Sequence, residues 1–159
     1  LPTAITSQDY STQGNPFGWV SDKGRWEVIS LYRAAGTQLS ATQNTWYAVG
    51  KVQLSVPIGS WSQSYQATTY AVTGVAGAAV AVTLSTTNNS ETNSDMTGQS
   101  YTSSTSTLAQ VRRENSATYA ASTILYLLLL TTTASNNELT FYSIPTGGST
   151  SIQVTPSGL

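Results

Sequence analysis

The sequence predicts an all-β chain: an antiparallel β-sandwich of jelly-roll type with about eight or nine strands. Three observations carry that expectation. From Thr45 to Val56, Trp46, Ala48, Gly50, Val52, Leu54 and Val56 fall on one face and Tyr47, Lys51, Gln53 and Ser55 on the other. Ile124 to Leu130 is an unbroken apolar run flanked by Ser, Thr and Ala, the pattern of a strand that is dry on both faces. Gly, Pro and Asn-Asn punctuation recurs along the chain, and no segment has a convincing helical period.

In chain order, residues 1–18, with Pro2, Gly14, Pro16 and Gly18, read as a linker or N-terminal arm, and residues 19–159 as the sandwich domain. Gly24 to Arg33 reads as a first strand whose smudged period indicates a bulge. Thr45 to Val56 follows, then a Pro57-Ile58-Gly59 turn and Trp61 to Thr73 as the hairpin partner. After Gly74-Val75-Ala76-Gly77, Ala78 to Leu84 alternates as a half-buried strand with small outward residues. Thr86 to Ser100 is rich in Asn, Ser, Thr and Gly and reads as a long loop. Leu108 to Arg113 and Ala117 to Leu130 are strands broken around Glu114-Asn115-Ser116. Asn136-Asn137 and Gly147-Gly148 mark corners that set off Leu139 to Ile144 and Ser149 to Val154 as the last two strands.

Composition removes several chemistries. There is no Cys and no His among the 159 residues, which deletes disulfides, thiol nucleophiles, the usual partner of a catalytic Ser and the commonest metal ligands. Charged residues are only 8% of the chain, so Ser, Thr, Asn and Gln must make the surface wettable. Six basic against seven acidic residues leave no footprint for nucleic acid. The apolar run is far shorter than the ~20 residues of a spanning helix, so no membrane span is expected. The chain starts on Leu1-Pro2 with no signal-peptide pattern and reads as a fragment of a longer protein.

The carboxylates fall in scattered turns. Asp22 with Glu27 and Glu91 with Asp95 are the close pairs, and solvated loop charge outweighs a glycosidase dyad for both. No enzyme activity and no cofactor are expected. Asn88, Asn89, Glu91, Asn93 and Asp95 make an oxygen-rich loop without EF-hand spacing, and Asn88-Asn89-Ser90 is a lone glycosylation sequon. Four Trp and nine Tyr in a weakly charged chain suit stacking on sugar rings. Trp46 belongs to the core, whereas Trp19, Tyr47, Trp61 and Tyr70 are the binding candidates. Arg112-Arg113 are candidates for reading an anionic sugar, set against solvated strand-end charges beside Glu114. The two-faced strand nominates Ile124, Tyr126, Leu127, Leu128 and Leu130 for a subunit contact.

Three segments resemble the C-terminal β-sandwich domains of bacteriophage tailspikes and tail fibres. They are Val52-Gln53-Leu54-Ser55-Val56-Pro57-Ile58-Gly59-Ser60-Trp61 leading into Ser64-Tyr65-Gln66-Ala67, Val80-Ala81-Val82-Thr83-Leu84-Ser85 running into a polar loop, and Tyr126 to Leu130 followed by Leu139 to Val154. The resemblance spans about residues 45 to 154. It implies a homotrimeric module at the virion fibre tip that grips host surface glycan or closes the trimer, and it names no catalytic residue. A jelly-roll coat subunit and a carbohydrate-binding module of a secreted polysaccharide-degrading enzyme are the rival expectations, extracellular in the second case.

Overall fold

The computed structural model describes residues 19–20, 25–26, 29–72, 79–101, 109–132, 137–141, 143–144 and 148–157. The N-terminal arm, the Gly74–Gly77 linker and Asn136 lie outside the described residues, as do Asp22 and Glu27. The described strands are β1 (Trp19–Val20), β2 (Arg25–Trp26), β3 (Ile29–Ala34), β4 (Gly36–Ala41), β5 (Gln53–Val56), β6 (Gly59–Val72), β7 (Ala79–Ser85), β8 (Thr97–Tyr101), β9 (Ala109–Tyr119), β10 (Thr123–Thr131), β11 (Asn137–Phe141), β12 (Ser143–Ile144) and β13 (Gly148–Pro156). All pairings are antiparallel. A four-stranded sheet runs β5-β10-β7-β8, and a seven-stranded sheet runs β12-β13-β6-β11-β4, with β3 added to β13 and β9 to β6. β1 and β2 form a separate ribbon. The inner rows of the two larger sheets make one core, so the chain is an all-β sandwich. Among the described residues, no helix is long and apolar enough to cross a membrane.

Of the expected first strand, Gly24 to Arg33, Arg25–Trp26 pair with β1 in the ribbon and Ile29 onward forms β3 on β13, which has the bulge its period indicates. Ala34 pairs with Thr150 but Leu31 with Ile152, three residues against two, which leaves the extra residue on β3. A second bulge lies in β4, where Ala41 pairs with Asn137 and Gln38 with Leu139. Ser40 sits there at φ 53° and Leu39 is turned out to 64% exposure.

The alternation of residues 45–56 becomes a regular strand only at β5. Val49–Lys51 form a 3-10 turn with Gly50 at φ 65° and Lys51 at φ 53°, so Val49, on the expected outward face, is buried. The kink fits where the chain crosses the start of β4: a Cβ on Gly36 would strike the Gly50 backbone, and one on Gly50 would strike Ala35 O. Two glycines let the two backbones touch. Pro57–Gly59 also differs from the expected hairpin, because β5 pairs with β10 in one sheet and β6 with β13, β11 and β9 in the other. The corner carries the chain between layers, with Gly59 at φ 137° and the Trp61 indole Nε1 donating to Pro57 O (3.1 Å).

β7 is buried from end to end rather than on one face. Its inner row, Val80, Val82 and Leu84, meets Leu127 and Leu129 of β10 in the core, while Ala81 and Thr83 pair with Leu130 and Leu128 on the outer face. Leu128 and Leu130 are 0% and 7% exposed within a single protomer. The stretch between β7 and β8 is fastened beside this face. Ser85 Oγ lies 3.0 Å from Thr87 O and 2.5 Å from Ser90 O, and Asn89 Oδ1 accepts from the Ala48 N–H (3.3 Å). Ala48 follows Tyr47, which bridges to Leu129 on the side of β10 away from β7, so the loop passes across β10 to reach it.

The expected break around Glu114-Asn115-Ser116 is absent, since β9 runs through it and the turn comes at residues 120–122. Among the described strands β9 pairs with β6 alone, and an edge strand can be polar on both faces. The loop expected at Thr86 to Ser100 is shorter, because Thr97 onward is β8 paired to β7.

Two outcomes follow. Leu127→Asp and Leu128→Asp should each unfold the protomer, because each buries an unpaired charge worth on the order of the domain's whole stability. Ile124→Asp, at a 39% exposed site, should shift stability by less than about 1 kcal/mol. Circular dichroism with size-exclusion mass checks this, and a folded but dissociated Leu128→Asp would mean that another copy closes the outer face. Gly50→Ala should cost about 2 kcal/mol or more in chemical denaturation, since left-handed strain adds to the clash with Ala35 O.

Candidate functional site

The open outer face of the large sheet is the candidate site, and it is built on β6. Ser60-Trp61-Ser62-Gln63-Ser64-Tyr65-Gln66-Ala67 alternates strictly. Trp61, Gln63, Tyr65 and Ala67 are buried, which leaves Ser60, Ser62, Ser64 and Gln66 on the outer side. The register carries that division to the neighbouring strands. On β9, Thr118, Ser116, Glu114 and Arg112 stand opposite those four residues in turn. On β13, Thr155, Gln153 and Ser151 stand opposite Ser62, Ser64 and Gln66. Every one of these side chains is polar, and Arg112 and Glu114 are the only charges among them.

Hydroxyls and amides on this face lie in rows about 4.8 Å apart across the strands. Ser60 Oγ and Thr118 Oγ1 are 2.8 Å apart, and Ser62 Oγ donates to Glu114 Oε1 at 3.5 Å. The face closes where Thr68 and Thr140 are buried. Sequence reasoning missed it. The signal available was the Ser/Gln alternation of residues 60–66, which stands out only once β6 has two neighbours of the same polarity.

The residues nominated from sequence do not converge. Trp61 is 1% exposed with its indole N–H already bonded, so it is a core residue and not a binding platform. Tyr47 is half-buried against the core, its hydroxyl accepting from the Thr42 N–H (2.9 Å), and hydrogen bonds with the Thr42 side chain and backbone hold its pKa below the ordinary phenol value. Trp19 lies opposite Trp26 in the β1–β2 ribbon, and Tyr70 opposite Thr140.

Arg112 and Arg113 project to opposite faces of β9, so they cannot share one anion. Arg113 faces inward at the sandwich edge, where its Nε donates to Thr97 O (3.1 Å) and ties β9 to β8. Of the nominated subunit contacts, Leu127, Leu128 and Leu130 are closed within the protomer, while Ile124 is exposed and Tyr126 half-buried. The oxygen-rich loop spends its acceptors on the protein: Asn89 on Ala48, Glu91 on Thr97 Oγ1 (2.7 Å) and Asn93 on Asp95 N–H (3.0 Å). Among the described residues, no group of three or more His, Cys, Asp or Glu is placed to hold a metal ion.

Beneath the face, Tyr65 ties the large sheet to the small one, and Tyr119 ties β9 to β6 within the large sheet. The Tyr65 hydroxyl lies 2.9 Å from Val82 O and 3.0 Å from Met96 O. The Tyr119 hydroxyl donates to Gln63 Oε1 at 2.5 Å. Burial raises the pKa of both phenols; Arg113 and the Gly98 backbone oppose the rise at Tyr65, and Gln63 opposes it at Tyr119. A folded-state pKa above the unfolded value of about 10 means that the neutral phenols stabilise fully below that pH and progressively less as pH climbs toward the folded value. The urea midpoint should therefore fall between about pH 9 and pH 11. Tyr65→Phe should flatten that fall, and an unchanged pH slope would place the ionisation elsewhere.

No protein-family model matches the chain, and no curated protein matches it in sequence at a significant level.

Proposed function

We propose that this chain is a non-enzymatic, jelly-roll-type C-terminal module of a phage tail fibre or tailspike, homotrimeric at the virion tip, that recognises a host surface glycan. The observation that carries the glycan reading is the outer face shared by β6, β9 and β13, with its hydroxyls and amides on rigid strands and two charges among those three rows. Sugar hydroxyls are satisfied by such groups, and strand-borne side chains lose little entropy on binding because their backbone is already fixed. The layout of residues 45 to 154 supports the tail assignment. For self-association, Ile124 and Tyr126 remain as the accessible part of the apolar strand.

A second reading gains from the burial of Leu128 and Leu130 within one protomer. A domain that needs no partner to dry its apolar strand suits a monomeric carbohydrate-binding module of a polysaccharide-degrading enzyme. Light scattering at micromolar concentration separates the two, with trimer expected and monomer favouring the module. A glycan array should return binding, without release of oligosaccharide. Cleavage of a bound polysaccharide by the purified chain would overturn the non-enzymatic assignment.

A further inference from the structure

We propose that the outer face of the large sheet takes an acidic polysaccharide, with the Arg112 guanidinium receiving a sugar carboxylate and the surrounding amides and hydroxyls receiving ring hydroxyls. This rests on the glycan reading above and names its site and substrate class.

Arg112 lies on β9, an edge strand among the described strands of the sheet, with an exposed side chain on the outer face opposite Gln66. It makes no hydrogen bond or ion pair with a described residue, whereas Arg113, on the other face, is tied to Thr97 O. Glu114 is two positions along on the same face, yet its carboxylate accepts from Ser62. The opposite charges have not neutralised each other, and the planar fork stays open for a bidentate carboxylate. Gln66 stands one strand spacing away, with Ser151 beyond it on β13, so a chain lying across the strands meets an amide and then a hydroxyl.

Glu114 sets the density of charge the face accepts. A polymer with carboxylates on neighbouring sugars would place one against Glu114, whereas one with spaced carboxylates meets Arg112 alone. Phosphate-dense polymers are disfavoured for the same reason, since nucleic-acid affinity requires several cations.

The test is binding of the full chain to a panel of acidic capsular and exopolysaccharides, hyaluronan and alginate among them, with dextran as the neutral member. Each acidic polymer is also measured after carboxyl reduction. Acidic polymers with spaced carboxylates should bind and their reduced forms should not. Arg112→Gln should weaken binding about tenfold or more while circular dichroism stays unchanged. Glu114→Gln should tighten it. Binding that survives carboxyl reduction or Arg112→Gln overturns this inference and leaves the glycan reading standing. Failure of wild type to bind any polysaccharide in the panel or on the array overturns both.

Discussion

The structure depends on keeping both edges of β6, a strand of fourteen residues, hydrogen-bonded through most of its length. β9 covers one edge from Gly59 to Thr69. The other is shared, with β13 serving Trp61 to Gln66 and β11 serving Thr69 to Val72. At the junction, Thr68 would be left without a strand partner. The Thr150 hydroxyl takes that place, accepting from Thr68 N–H (3.2 Å) and donating to Thr68 O (3.3 Å). A buried peptide group left unpaired would cost about 1–3 kcal/mol, so one threonine lets two strands succeed each other along a single edge. The core and the candidate site are opposite rows of this strand. Trp61 and Tyr65 fix it against the small sheet, and that fixing holds Ser62, Ser64 and Gln66 in place outside.

The small sheet answers a different constraint. β7 and β10 are apolar or small on both faces, which in an open sandwich would expose one face to water. That face is nonetheless buried within one protomer, and the loop after β7 is fastened beside it, with Ser85, Asn89 and Glu91 satisfying backbone and hydroxyl groups. Asn89 and Asn93, which help give this loop the look of a cation site, are among its fastenings. Self-association therefore has a smaller apolar surface to use than the bare strand pattern suggests, concentrated at Ile124 rather than at the leucines.

Much of the architecture was legible because period and punctuation are local signals. The bulge in β3, the extents of β6, β7 and β13, and the two-faced burial of Leu127 to Leu130 within the apolar run all followed from which neighbours a side chain needs. What failed depended on partners distant in sequence. Pro57–Gly59 looks like a hairpin corner, but β5 and β6 belong to different sheets, a choice made by β10 and β13. Residues 45–52 alternate well enough for a strand, yet the Gly36–Gly50 crossing turns them into a 3-10 kink. Glu114–Ser116 looks like a break because polarity on both faces normally ends a strand, and at a sheet edge it does not.

The candidate site was less legible than the fold for a related reason. Aromatic residues announce themselves in a sequence, so Trp61 and Tyr47 drew the binding assignment, but a large ring on a strand whose neighbours are Ser is the residue that the core claims first. The outer face contains nothing rare: Ser62, Gln66, Gln153 and Thr118 are indistinguishable one by one from solubilising residues in a chain with 8% charge. Register distinguishes them, because three strands deliver the same polarity to one plane. A site made of common residues in a regular lattice has no motif, and its specificity must come from the few departures from the lattice. Here those departures are Arg112 and Glu114, adjacent in the row and opposite in sign, one open and one fastened to Ser62.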